Sequence, residues 1–87
     1  MLQPPLASPG KVLRDLMSQG VVNMPGVFNA ITARAAHAAG AQALYLTGAG
    51  VTNALLGVPD IALLTQTEMA QQAAYVCQIA PVPVIAD

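Results

Sequence analysis

Short apolar runs alternate with helix-like segments along this chain, and this alternation constrains the fold more than any other feature of the sequence. The strand-like runs lie at residues 21–24, 43–47 and 82–86. Apolar spacing and alanine content predict helices over residues 8–20, 29–39 and 65–79. Because strands separated by helices pair in parallel through right-handed crossovers, the sequence predicts an α/β fold with parallel strands.

Cap-forming residues at the ends of these segments support the predicted helices. Ser8 and Pro9 form a helix start, since serine can cap a helix and proline fits its first turn. Thr65 and Glu68 have the spacing of a capping box. Gly40 is a candidate for the left-handed residue that ends the second helix.

A long stretch rich in Gly and Pro, residues 48–64, separates the second strand from the third helix. Long connections of this kind are often functional, and this one includes a predicted short helix near residues 52–56. The whole chain is interpreted as a single, incomplete domain, with an irregular arm at residues 1–7 before the first helix.

Composition indicates that this domain needs more protein around it. Charged residues account for 8% of the 87 residues and hydrophobic residues for 55%, whereas typical soluble domains carry about 25% charged residues. A domain of this size has a high ratio of surface to volume and needs polar side chains to cover it. The chain is therefore expected to lie within a larger structure or to associate through apolar surface.

Charge and cysteine content exclude several classes of protein. The three basic residues, Lys11, Arg14 and Arg34, form no cluster of the kind that nucleic-acid binding requires. The apolar runs are broken well before the length of about 18 residues that indicates a membrane span, so no membrane partner is predicted. Cys77 is the only cysteine, which excludes an internal disulfide and fits a reducing cytoplasm.

Polar residues fall where the predicted strands end, which is where parallel α/β folds place their chemistry. They are Asn23 and Asn29 beside the first strand, Thr47 and Gly48 after the second, Asp60 in the long connection and Asp87 after the third. Two of the four acidic residues therefore lie at candidate active-site positions. From position alone, an ordinary glycine turn and aspartates that only cap helices remain the alternative interpretation.

Other chemistry-bearing residues have simpler interpretations. Gly48 and Gly50 begin no dinucleotide fingerprint, because Asn53 stands where that motif requires its third glycine. His37 is interpreted as a partly exposed helix residue without a second metal ligand nearby in sequence. Cys77 is interpreted as an inert, buried thiol.

Four segments together resemble the isocitrate lyase and phosphoenolpyruvate mutase superfamily, and within it the methylisocitrate lyases and the carboxyphosphonoenolpyruvate phosphonomutase-like proteins. They are PGVFNA at residues 25–30, YLTGAGV at 45–51, GVPD at 57–60 and PVIAD at 83–87. The resemblance implies a (β/α)8 barrel of the TIM type. Since such a barrel needs about 250 residues, residues 21–87 would supply only its first three strands with the intervening helices.

The resemblance also implies a chemistry. Members of the superfamily are usually tetramers that hold an enolate-like intermediate with a divalent metal, Mg²⁺ or Mn²⁺. The lyases among them split a 2-hydroxy tricarboxylate into a 2-oxo acid and succinate. A small carboxylate substrate, a homo-tetramer and a cytoplasmic location are therefore expected.

Substrate-binding residues follow from the superfamily's Ser-Gly-Gly segment, which binds the carboxylate of the 2-oxo acid. Thr47, Gly48 and Ala49 match it in this sequence. Small residues suit that role, because backbone N–H groups must approach the carboxylate closely. Ala49 departs from the motif, and its methyl group would be strained if the position required a positive φ.

Catalytic and metal-binding residues also follow from the resemblance. Asp60 matches an aspartate that lies near the metal-bound substrate, and Asp87 matches the first aspartate of a metal-binding segment. Tyr45 is a separate case, argued from its place on the second strand: such a tyrosine is more often a core residue, but its hydroxyl would meet a substrate if the side chain points into the barrel mouth.

The rest of the lyases' machinery, including their catalytic Cys loop, would lie beyond residue 87, so the chain alone is predicted to be inactive. Phosphonate chemistry, oxaloacetate decarboxylation and a malate-type lyase remain as alternatives within the superfamily. A truncated, non-catalytic subunit that only associates with others is an alternative of a different class.

Overall fold

The computed structural model describes residues 7–58 and 65–87, which form one parallel sheet with helices packed against it. The helices are α1 (Pro9–Gln19), α2 (Ala30–Ala38), α3 (Gly48–Leu56) and α4 (Gln66–Ile79), and the strands are β1 (Gly26–Val27), β2 (Leu44–Leu46) and β3 (Val84–Ala86). The strand order is β1-β2-β3, and both neighbouring pairs are parallel. The predicted fold class, α/β with parallel strands, is confirmed.

The first strand lies later in the chain than the apolar run at residues 21–24 predicts, so that prediction is wrong. Val21 is 99% exposed. Pairing with β2 instead begins at Pro25, whose carbonyl accepts a hydrogen bond of 3.0 Å from the N–H of Tyr45. A proline has no N–H to donate but keeps its carbonyl, so it fits the start of a strand. In so short an apolar run, pairing with a neighbouring strand decides which residues form β1.

The long connection after β2 contains a longer helix than the sequence predicts. The sequence predicts a short helix near residues 52–56, whereas α3 begins at Gly48, with only Thr47 between it and the end of β2. Thr47 is its N-cap, and its hydroxyl accepts a hydrogen bond of 3.2 Å from the N–H of Gly50. The helix ends at Gly57, whose φ of 69° is left-handed. A single capping hydroxyl therefore places the helix start against the end of β2.

Two other helices begin at capping boxes. Thr65 and Glu68 hydrogen-bond reciprocally at the start of α4, as predicted. The backbone hydrogen bond from Thr65 lowers the pKa of the Glu68 carboxyl. Asn29 and Thr32 form a second box at the start of α2. Ser8 precedes α1 as predicted, but its side chain makes no capping hydrogen bond.

The sheet has two different faces because successive side chains of a strand point to opposite sides. The helix-facing side carries the core, in which Val27, Leu44 and Leu46 pack with residues of the helices such as Ala33 and Val76. The opposite face carries the row formed by Gly26, Tyr45 and Ile85, which are paired across the three strands. Ile85 remains 42% exposed on that face.

Helix α1 contributes little to this core. None of its residues is buried, and Met17 is 61% exposed. Gly40 follows α2 with a φ of 101° and donates its N–H to the carbonyl of His37, which confirms it as the residue that ends that helix.

In the part of the chain that the structure describes, every helix is too short or too polar to span a membrane.

Candidate active site

Three side chains follow the three strands in one row at the carboxyl edge of the sheet. They belong to Phe28, Thr47 and Asp87, and we call them the edge row. The N–H of Thr47 donates to the carbonyl of Val27 at 3.0 Å, and the N–H of Asp87 donates to the carbonyl of Leu46 at 3.1 Å. The parallel register of the strands therefore continues through the edge row and brings Thr47 and Asp87 side by side.

Thr47 offers its hydroxyl proton at this edge. Its oxygen accepts the hydrogen bond from Gly50 that caps α3. A hydroxyl has one proton and two lone pairs, so accepting one bond leaves the proton free to donate. The cap thus orients the Thr47 hydroxyl without using its capacity to bind an anion.

The first turn of α3 adds backbone donors beside that hydroxyl. Within residues 7–58 and 65–87, the N–H groups of Gly48 and Ala49 have no hydrogen-bond partner, as is usual for the first residues of a helix. Ala49 lies in the helical conformation and is exposed, so its methyl group causes no strain there. The substitution of Ala for the second glycine of the motif is therefore compatible with the local backbone.

Asp87 lies directly against the first residue of α3. A Cβ atom built on Gly48 would be 2.6 Å from Oδ2 of Asp87. The carboxylate therefore lies beside the first turn of α3, the same turn that carries the unpaired N–H groups and that the Thr47 hydroxyl caps. Among residues 7–58 and 65–87, no group of three His, Cys, Asp or Glu side chains lies close enough to hold a metal ion.

Tyr45 lies two rows below the edge row, and it is on the same face of the sheet as Thr47 because residues two apart on an extended strand share a face. It is half-buried. This is the face opposite the helices. The structure thus brings Tyr45 and Thr47 to the same side of β2.

The remaining residues singled out in the sequence are not brought to this point. Asp60 lies outside the residues that the structure describes. Asn29 caps α2 through its side chain. Asn23 lies at the opposite, amino edge of the sheet, because β1 starts after it and not before it. There it lines an open depression of about 500 Å³ whose other lining residues include Val21 and Gln42 and carry no titratable group.

His37 and Cys77 lie on helices away from the edge row. His37 is exposed near the end of α2, in line with its interpretation from the sequence. Cys77 is exposed on α4, so the expectation of a buried thiol is wrong. Desolvation by its neighbours still raises the pKa of the Cys77 thiol, which disfavours the reactive thiolate at neutral pH.

Two residues at the site were not singled out in the sequence. Phe28 belongs to the edge row, and a Cβ on Gly50 would lie 3.2 Å from its Cβ, so it packs closely on the first turn of α3. Thr52 is a buried polar side chain, only 1% exposed, and donates a hydrogen bond of 2.8 Å to the carbonyl of Gly48. An apolar residue after a strand and a threonine within a helix carry no sequence signal of such roles.

The fold and the position of this site define a parallel α/β protein whose candidate chemistry lies at the carboxyl edge of the sheet. Residues 13–87 match the phosphoenolpyruvate phosphomutase family. The chain belongs to this family, within the isocitrate lyase and phosphoenolpyruvate mutase superfamily.

The chain is similar to characterised proteins from several organisms. The chain is 43% identical over 84 residues to the 2-methylisocitrate lyase of Aeropyrum pernix, covering 95% of this chain and 27% of the relative. It is 43% identical over 75 residues to the chloroplastic carboxyvinyl-carboxyphosphonate phosphorylmutase of Arabidopsis thaliana, covering 85% of this chain and 22% of the relative. The crystal structure of an oxaloacetate acetylhydrolase matches 97% of this chain and 30% of its own, with a TM-score of 0.83 and 34% identity.

The chain therefore spans less than a third of the length of each of these relatives. In the solved structures of the superfamily it matches the N-terminal part of a TIM barrel.

Proposed function

We propose that residues 1–87 are the N-terminal part of a Mg²⁺-dependent carbon–carbon lyase. The enzyme would cleave a 2-hydroxy tricarboxylate of the methylisocitrate or isocitrate type into a 2-oxo acid and succinate. The observation that carries the proposal is the placement of the Thr47 hydroxyl, the free N–H groups of α3 and the Asp87 carboxylate at one sheet edge. The resemblance to a relative named 2-methylisocitrate lyase supports this choice of reaction.

Substrate binding is assigned to the first turn of α3. The N–H groups of Gly48 and Ala49 point out of the helix start, where the helix dipole favours an anion. The hydroxyl of Thr47 adds a donor from the same turn. Together these three donors suit the carboxylate of a 2-oxo acid, which offers two acceptor oxygens.

The metal is assigned to Asp87. Mg²⁺ is a hard cation that takes oxygen ligands, keeps several waters and is commonly held by one or two carboxylates together with the substrate. An exposed carboxylate beside the donors for a substrate carboxylate fits that pattern. When bound there, Mg²⁺ or Mn²⁺ supplies a Lewis acid that stabilises negative charge developing on the oxygens of the 2-oxo acid.

Two further residues are assigned to catalysis. Tyr45 lies below Thr47 on the face of the sheet opposite the helices, where its hydroxyl would donate a hydrogen bond to the substrate. Asp60 is proposed to lie near the metal-bound substrate, as its match to the superfamily's Pro-Asp motif implies. The single incomplete domain at residues 1–87, a homo-tetramer of the full-length protein and a cytoplasmic location belong to the same proposal.

Phosphonomutase activity is the second candidate, and the Arabidopsis relative named as a phosphorylmutase favours it. A third candidate is an enzyme that acts on oxaloacetate, and the similarity to the crystal structure of an oxaloacetate acetylhydrolase favours it. The edge row does not distinguish among these substrates, since each carries a carboxylate that the same donors would hold.

An activity assay tests the proposal. We expect the full-length protein to turn over 2-methylisocitrate or isocitrate in the presence of Mg²⁺, and to lose that activity when EDTA removes the metal. The 87-residue polypeptide alone is expected to show no turnover. Turnover of oxaloacetate or a phosphonate in preference to both tricarboxylates, or equal activity in EDTA, would contradict the proposed reaction.

Replacing Thr47 by Val in the full-length protein is expected to weaken the binding of pyruvate, as the 2-oxo acid, by about 1–2 kcal/mol. The substitution keeps the shape of the side chain but removes the hydroxyl proton that the carboxylate would accept. Isothermal titration calorimetry measures the affinity.

Thr47→Val also removes the cap of α3, which by itself costs about 0.5–2 kcal/mol of stability. Thr65→Val removes the corresponding cap of α4 away from the edge row, so it is the matched control and should leave pyruvate binding unchanged. Thr47→Ser keeps the hydroxyl and should bind pyruvate with nearly the wild-type affinity. An affinity unchanged in Thr47→Val would show that the hydroxyl does not contact the substrate.

A further inference from the structure

The space beside Gly48 is filled by a single neighbouring side chain. A Cβ atom built on Gly48 would have its three nearest heavy atoms in Asp87, with Oδ2 at 2.6 Å, Cγ at 3.3 Å and Cβ at 3.5 Å. Real Cβ atoms essentially never approach another heavy atom within 3.0 Å. Any side chain at position 48 would therefore have to displace the Asp87 carboxylate.

We propose that Gly48 is a positioning residue for Asp87: its missing side chain leaves the space in which the Asp87 carboxylate rests against the first turn of α3. This inference rests on the proposed role of Asp87 as a metal ligand. It gives Gly48 a function separate from the backbone N–H that the proposed substrate site uses.

The backbone of Gly48 supplies no other reason for a glycine. The glycines with a left-handed φ are Gly20, Gly40 and Gly57, whereas Gly48 has the ordinary conformation of a helix residue. Gly50 lies in the same turn but has different neighbours. A Cβ atom at Gly50 would lie 2.6 Å from Cγ2 of Thr47, so position 50 needs a glycine because of packing within the turn and not because of Asp87.

The backbone of Asp87 limits where its carboxylate can go. Its N–H is held by the carbonyl of Leu46 at 3.1 Å, which anchors the residue to the end of β2. A short side chain on an anchored backbone has only a few staggered positions. A methyl group on Gly48 would exclude the observed one, and the carboxylate would rotate to another. This rotation would move the ligand atoms of the carboxylate away from the first turn of α3.

The test compares metal binding of the full-length protein with that of its Gly48→Ala variant. We expect Mn²⁺ to bind the variant about tenfold or more weakly, the effect typical of losing a residue that orients a metal ligand. Electron paramagnetic resonance of free Mn²⁺ measures this affinity without substrate or turnover. Alanine keeps the backbone N–H of position 48, so the substitution leaves that donor of the substrate site in place.

Gly10→Ala is the matched control, because it makes the same chemical change in α1, where a Cβ would meet nothing within 4 Å. It should bind Mn²⁺ as the wild type does. Thermal scans should show that Gly48→Ala melts cooperatively near the wild-type temperature, and its crystal structure should show a rotated Asp87 side chain.

The outcomes separate this inference from the proposed function. If the wild type binds no Mn²⁺, the metal role of Asp87 fails and the proposed function with it. If the wild type binds Mn²⁺ and Gly48→Ala binds it equally well, or keeps the Asp87 carboxylate in place, Gly48 does not position Asp87. A Gly48→Ala protein that fails to melt cooperatively would also overturn the inference, because the clash would then act on the fold.

Discussion

Replacing Asp87 by Ala in the full-length protein is expected to lower Mg²⁺-dependent turnover by about a thousandfold or more. A metal that stabilises developing charge contributes several kcal/mol, and about 1.4 kcal/mol corresponds to a factor of ten in rate. In residues 7–58 and 65–87, Asp87 is the carboxylate that lies beside the donors of Thr47 and the first turn of α3. Steady-state kinetics at saturating Mg²⁺ measure the loss.

Asp15→Ala is the matched control for this experiment, since Asp15 is an exposed aspartate of α1, away from the edge row. It should retain wild-type turnover. Turnover close to the wild-type rate in Asp87→Ala would remove Asp87 from the metal site. A loss of activity in both variants would point to folding and not to the metal.

The 87-residue polypeptide on its own is expected to associate and to melt without a cooperative transition. The two outer strands, β1 and β3, each have an edge that pairs with no strand of the described residues. Such edges promote association. One face of the sheet is not covered by α2 or α4, and apolar side chains such as Met17, Ile31 and Ile85 are exposed. Among residues 7–58 and 65–87, the buried core is also small.

Analytical ultracentrifugation and a thermal scan followed by circular dichroism test this expectation. Association should increase with protein concentration and the ellipticity should change gradually with temperature. A monomer with a sharp, reversible transition would show that these residues fold independently, and the full-length protein is the control that should melt cooperatively.

Local signals in the sequence were sufficient for much of the fold. The start of α4 was predicted because Thr65 and Glu68 interact across three residues of the same chain segment. The end of α2 at Gly40 was predicted because only the conformation of that residue is involved. The parallel α/β class follows from the alternation of strands and helices. The two helix ends depend on interactions within a few residues, and the fold class depends on the order of the local elements along the chain.

Other features depend on contacts between residues distant in sequence. For these features the sequence-based prediction is wrong, or the sequence makes no prediction. The apolar run at residues 21–24 predicts the first strand, whereas pairing with β2 places that strand at residues 26–27. The early start of α3 depends on where β2 ends and on the cap that Thr47 provides. The packing of Phe28 on the turn at Gly50 could not be foreseen, because it joins residues of different segments.

The sequence by itself determined the fold class, most of the helices and the match of Thr47, Gly48 and Asp87 to a superfamily's motifs. Only the tertiary structure decided that Thr47 and Asp87 lie in one row and that Asp87 occupies the space left by Gly48. The physical reason is that residue types and caps act within a few residues, whereas the register between strands sets which residues at the strand ends lie side by side. The sequence cannot show that Gly48 leaves space for another side chain, because the side chain that occupies this space comes from a distant part of the chain.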